Sequence, residues 1–157
     1  NNGGGNLSNS STLASRFTNE KVLTGYIRHK TGKGHSDFSD PEPIYLEPSK
    51  QIRWQKKVVV LTNRHAYSAT NDFVNSMRYL PLVTTVGDQT GGGSGMPFSS
   101  ELPNGWSVRY SASPHFDAEM NQIEFGIEPD VTVNMEKNDE DKGIDTIIET
   151  ARKLIKN

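Results

Sequence analysis

Ser68 stands where a buried strand should give way to a helix. The run is Val58-Val59-Val60-Leu61-Thr62, then Asn63-Arg64-His65-Ala66-Tyr67, then Ser68-Ala69-Thr70-Asn71-Asp72-Phe73. The first turn of a helix carries free backbone N–H groups and the positive end of its dipole, so a hydroxyl there lies beside ready anion donors. An acyl-transferring serine needs that setting, because the charge of a tetrahedral intermediate must fall on preorganised donors. Serine also caps helices at this position, its oxygen accepting a backbone N–H of the first turn. The local pattern fits both roles.

Glycine marks two further places. Gly87-Asp88-Gln89-Thr90-Gly91-Gly92-Gly93-Ser94-Gly95 has the spacing of a phosphate-binding loop. However, Gly93 occupies its lysine position, and Met96-Pro97 follows in place of a helix, so nucleotide binding is rejected. The remaining reading is a flexible loop whose backbone comes close to another stretch of chain. Asn1-Asn2-Gly3-Gly4-Gly5 leads into a helical pattern and could aim amides at an anion, or could be a linker. The histidines, His29, His35, His65 and His115, are scattered without H-x-x-x-H spacing and predict no metal site. His65 is near Ser68 in sequence, which does not make it a base.

The elements that must hold these residues follow from periodicity. Helices are expected over 8–19, over 68–80 with Phe73, Met77 and Leu80 on one face, and after residue 142, where Ile144, Ile147, Ile148, Ala151, Leu154 and Ile155 form a stripe. Strands are expected at 22–30, 57–62 and 82–86. A hairpin follows, 98–102 and 106–111, around Pro103-Asn104-Gly105. Residues 31–43 read as a long irregular connection and 135–142 as a solvated acidic link. Alternation of strand and helix gives an α/β domain, a mixed sheet flanked by helices, with no internal repeat.

Composition narrows the function. The 157 residues carry 17 Lys+Arg against 19 Asp+Glu, a net charge of −2, which leaves no basic stripe for nucleic acid. No apolar run is long enough to span a bilayer, and without cysteine there is no disulfide, zinc-thiolate or thiol nucleophile. Hydrophobic residues make up 32%, short of the roughly 45–50% usual for a domain even with the 14 glycines counted in. Together with the glycine start, this predicts a single domain, residues 1–157, that is the C-terminal part of something longer.

Taken together these segments resemble the S41 family of serine peptidases, the C-terminal-processing or tail-specific proteases and their tricorn-like relatives. Asn1–Gly5 resembles the end of the family's D-x-R-x-N-x-G-G element, and Val58–Asn63 with Ser68-Ala69 its strand and nucleophile turn. Gly87–Gly93 resembles its G-E-T-x-G loop, Leu102-Pro103-Asn104-Gly105 its L-P-x-G hairpin, and Gly126-Ile127-Glu128-Pro129-Asp130-Val131 its G-[IV]-x-P-D-[IV] signature. The motifs run in family order over nearly the whole chain.

The resemblance implies a ClpP/crotonase-like α/β spiral and a serine endopeptidase acting on peptides or proteins, with no cofactor. Ser68 would be the nucleophile. The amides of Ala69 and Gly4 would form the oxyanion hole, and Gly91, Gly92 and Gly93 would line the substrate groove. Processing-peptidase members take their base from a lysine where this chain has Gly93. Tricorn-like members use a histidine upstream of the N-G-G element with a downstream glutamate, here Glu124, or secondarily Glu128. The family also has a branch that binds peptides or lipophilic ligands without cleaving them, and that alternative stands beside the peptidase. An envelope or periplasmic location follows from resemblance alone, and homo-oligomer formation stays open.

Overall fold

A computed structural model describes residues 1–156. Strands β3 (Val58–Thr62) and β4 (Val83–Gly87) are parallel neighbours, and β8 (Val131–Thr132) joins the far side of β4. Val58, Val60 and Val83 pack against helix α2 (Ala69–Arg78), whose Met77, with Leu80 beyond its end, is fully buried. Val74, on the same helix, packs with Ile123 and Ile127 in a second apolar cluster. The period-3.6 face expected for this helix is therefore the one that enters the core.

A second, antiparallel sheet has the order β2–β1–β7, with β1 at Val22–Ile27, β2 at Glu42–Leu46 and β7 at His115–Phe116. The sequence reading is corrected here. Residues 42–43 fell in the expected irregular connection and β2 was not foreseen, because Pro41 and Pro43 read as breakers. β2 lies at the sheet edge, where a proline costs no ladder bond that a neighbour needs.

Other boundaries moved for local reasons. Helix α1 spans Leu7–Ala14, started by Asn6 Oδ1, which accepts from Ser8 N at 2.9 Å; it tightens into a 3₁₀ turn at Ser15–Phe17. The acidic link is not wholly irregular, since Lys137–Glu140 form the short helix α3. Helix α4 (Thr146–Lys156) is capped by Asp145 Oδ1 at 2.9 Å from the amides of both Ile147 and Ile148. Its stripe is only partly used: Ala151 is buried and packs toward β3 and β4, while Ile144, Ile148 and Ile155 remain exposed.

The hairpin forms as β5 (Pro97–Glu101) and β6 (Ser107–Ser111), with Gly105 at φ 83° in the turn. The chain is thus α/β with a hairpin, its strands divided between a parallel and an antiparallel sheet.

A buried polar knot joins these parts. Asn71 on α2 is fully buried; its Nδ2 donates to Ser94 Oγ at 2.8 Å and to the Ile123 carbonyl at 2.9 Å. Its Oδ1 accepts from Thr90 Oγ1 at 2.5 Å, and that oxygen accepts from Ile127 N at 2.7 Å. Asn71→Leu keeps the volume but leaves the buried Thr90 O–H without an acceptor, at about 1–3 kcal/mol, and strips one donor each from Ser94 Oγ and the Ile123 carbonyl. Urea denaturation should show a loss of roughly 2–4 kcal/mol, and a loss under about 0.5 kcal/mol would mean that the knot holds nothing.

Candidate active site

The turn between β3 and α2 is unusual at one residue. Ser68 has φ 57° and ψ −126°, a conformation that a non-glycine residue adopts only when its surroundings impose it. Two backbone bonds do the imposing: Ser68 N donates to the Gly92 carbonyl at 2.7 Å, and Tyr67 N to the Asn2 carbonyl at 3.1 Å. Although Ser68 occupies the N-cap position of α2, its side chain makes no capping bond. The hydroxyl is therefore not consumed by the helix. The next amide, Ala69 N–H, finds no acceptor among the described residues. A half-buried serine beside an unsatisfied amide at the positive end of a helix is what the sequence anticipated.

The N-terminal glycines lie against this turn. A Cβ on Gly4 would come within 2.6 Å of the Tyr67 carbonyl and 2.7 Å of Ser68 Cβ, so only glycine fits. The Gly4 N–H, however, is committed, donating to Asn2 Oδ1 at 2.9 Å; that oxygen also accepts from Thr70 Oγ1 at 3.0 Å. The Gly5 N–H has no acceptor among the described residues. Gly5 also lines the small cavity of about 210 Å³ over Ser68, together with Leu7, Ala69, Asp72, Gly93 and Ser94.

The glycine loop closes the other side. It comes close to neighbouring chain, as expected, but hydrogen bonds hold it. Gly91 N donates to the Ala66 carbonyl at 2.8 Å and Gly93 N to the Glu124 carbonyl at 2.8 Å. A Cβ on Gly92 would collide with the Glu124 carbonyl, and one on Gly93 with the Tyr67 ring. Tyr67 thus fills the space that a side chain at position 93 would need.

Glu124 reaches this region through its backbone, while its carboxylate does not line the Ser68 cavity but lies close enough for its charge to act on Asp72. Oε1 accepts from Ser111 Oγ at 2.7 Å, and the side chain lines a separate cavity of about 160 Å³ with Gly95, Pro114 and His115. Glu128 and His65 are exposed and line neither cavity. No cluster of three or more His, Asp or Glu among the described residues could hold a metal.

Three residues at the site were not foreseen. Asp72 follows Ser68 by one helical turn, lines the same cavity, and accepts from Ser94 Oγ at 3.0 Å. Burial pushes its carboxyl above the usual range, against the opposing pull of His115 and of the Ser94 hydrogen bond. The spacing of four from Ser68 was the available signal. His115, only 3% exposed, reaches the site through the pairing of β7 with β1, a non-local contact with no sequence signature. Tyr67 was passed over as one aromatic among several.

The model of peptidase family S41 matches residues 1–133. No curated protein matches the chain in sequence. Among solved structures, a candidate peptidase from Parabacteroides merdae is 60% identical over 98% of this chain, with a TM-score of 0.94, and the match covers 49% of that chain. CPAF complexed with lactacystin is 17% identical over 99% of this chain and 42% of its own, with a TM-score of 0.82. The photosystem II D1 C-terminal processing protease is 19% identical over 85% and 32%, with a TM-score of 0.62. The last two comparisons show the fold, and the chain spans about half the length of the Parabacteroides protein. With the family match covering the glycine start, the Ser68 turn, the glycine loop and the Gly126–Val131 signature alike, this chain belongs to peptidase family S41.

Proposed function

We propose that this chain carries the nucleophile and oxyanion site of a serine-type peptidase, with its general base supplied by polypeptide outside the segment. The observation that carries the reading is the strained Ser68, its hydroxyl uncapped, beside an unsatisfied Ala69 N–H. Ser68 Oγ attacks the peptide carbonyl carbon, forming a C–O bond while its proton passes to the base. The oxyanion is held by Ala69 N–H and a glycine N–H. Gly4 was the expected donor, but its amide serves Asn2, and Gly5 offers the amide without an acceptor. Collapse breaks the C–N bond, and the amine leaves with the proton from the base. Water then attacks the ester, giving the acid and restoring Ser68.

A lysine base within the glycine loop does not suit this chain. Position 93 is glycine at φ 79°, and the Tyr67 ring occupies its side-chain space. The tricorn-like arrangement remains, with an upstream histidine as base and Glu124 as the supporting carboxylate. The non-catalytic reading draws no specific support from the site. An envelope location is proposed on family resemblance; one fold neighbour is a Streptococcus agalactiae lipoprotein.

A fluorophosphonate probe on the full-length protein should label Ser68, and Ser68→Ala should abolish the label while changing stability by under about 1 kcal/mol, since no cap bond is lost. An unlabelled Ser68, where a control hydrolase is labelled, would sink the peptidase reading. The 157-residue chain alone should cleave peptides no faster than the residual help of an oxyanion hole allows; Ser68-dependent turnover by it would show that the base lies within. Gly93→Lys should lower the melting temperature and create no Ser–Lys activity, and a gain of cleavage would refute the steric reading of Tyr67.

A further inference from the structure

A cavity of about 340 Å³ lies next to the Ser68 cavity, and Leu7 and Asp72 line both. Its other apolar walls include Ile44, Phe116 and Ile123, brought from β2, β7 and the segment packed under α2. One polar group in it is unusual. His115 is only 3% exposed, yet just one ring nitrogen is used: Nδ1 lies 3.1 Å from the Ser113 carbonyl.

A carbonyl can only accept, so Nδ1 carries the hydrogen, and in the tautomer with that one hydrogen Nε2 is the acceptor. Nε2 has no hydrogen-bond partner among the described residues. Asn75 Oδ1 is the sole unpartnered side-chain atom there that is sealed from access, so Nε2 keeps access to open space. Asp72 adds a second acceptor, because Ser94 satisfies only its Oδ2.

His115 lines this cavity as well as the one beside Glu124, and apolar walls with buried acceptors among them suit a ligand with an apolar body and a donor head. An acceptor head would face His115 Nε2 and Asp72 unpaired, and an entirely apolar ligand would leave both unsatisfied. A cation would have to be desolvated among Leu7, Ile44, Phe116 and Ile123. A neutral donor on an aromatic body meets all of these demands. Sharing Leu7 and Asp72 with the Ser68 cavity makes the cavity a neighbour of the reacting bond, so its occupant is a piece of the substrate. The volume is at the small end of the roughly 300–1,000 Å³ of ligand pockets and suits one side chain.

We propose that this cavity receives the side chain of a substrate residue adjoining the scissile bond, and that it selects tyrosine, with His115 Nε2 as the acceptor of the phenolic proton. The inference rests on the peptidase reading above, but its test does not depend on turnover. Peptides that differ only in Tyr, Phe, Leu, Lys or Gly at each position flanking the cleaved bond are titrated calorimetrically onto the full-length protein bearing Ser68→Ala. The Tyr peptide should bind about tenfold tighter than its Phe partner, one hydrogen bond's worth.

His115→Phe should bring Tyr and Phe peptides to equal affinity. Ile44→Trp, on the edge strand, should fill the cavity and weaken Tyr, Phe and Leu peptides at least tenfold while sparing Gly. Equal binding of Tyr and Phe by the unaltered pocket, preference for Lys, or indifference to Ile44→Trp would each overturn the proposal. Failure of Ser68 to take up the fluorophosphonate would strike the peptidase reading instead, so the two failures are distinguishable.

Discussion

The buried amide of Asn71 is the constraint on which the site depends. Among the described residues it is the one side chain that bonds both the glycine loop, through Thr90 and Ser94, and the 123–127 segment, through the Ile123 carbonyl. It sits one turn into the helix that Ser68 opens. Each of its polar atoms is satisfied without water, which is the condition under which a buried polar group specifies one arrangement instead of merely costing desolvation. Apolar packing of Val74 with Ile123 and Ile127 brings the same segments together, but packing alone tolerates sliding. The hydrogen bonds of Asn71 remove that freedom and fix the loop register opposite Ser68.

Fixed register allows strain to persist. A residue held at φ 57° costs on the order of 1–3 kcal/mol and survives only if its neighbours over-determine it. Here the Gly92 and Asn2 carbonyls bond Ser68 N and Tyr67 N, and Gly4 presses on the turn from the other side. These contacts need backbone to approach backbone, which explains glycine at 4, 91, 92 and 93. A side chain at any of the four would meet a carbonyl or the Tyr67 ring. The glycine runs are thus the requirement for holding a serine out of its ordinary capping conformation.

This explains what could be read from sequence. Helix α2, strands β3 and β4 and the hairpin turn were legible because their patterns are local: a β-branched run, a period of 3.6, an Asn-Gly pair. The glycines and the Ser68 turn were legible because close backbone approach and a strand-to-helix junction each leave a local mark. β2 was not, since its prolines are tolerated only at an edge, and edge position is a property of the sheet. His115 was not, since it enters through Ile27 pairing with it across β1 and β7. Asp72 lies between these cases: its spacing from Ser68 was visible, but the burial that shifts its carboxyl depends on the loop above it.

The same distinction bears on the base. In a Ser–Lys site, base and nucleophile would be held by one knot, because the loop that carries position 93 is the loop that Asn71 fixes. Here that position is glycine and Tyr67 fills the space over it, so the knot positions Ser68 and the amides beside it and nothing basic. Glu124 follows the same division: its carbonyl bonds Gly93 N within the knot, while its carboxylate turns away to Ser111. A carboxylate in that position can support a base approaching from outside the knot, but cannot itself take the Ser68 proton from the cavity it does not line. On the proposed peptidase reading, the segment holds the half of the chemistry that demands rigidity, the strained serine and its amides. On the same reading, proton transfer falls to a group whose placement these residues do not determine.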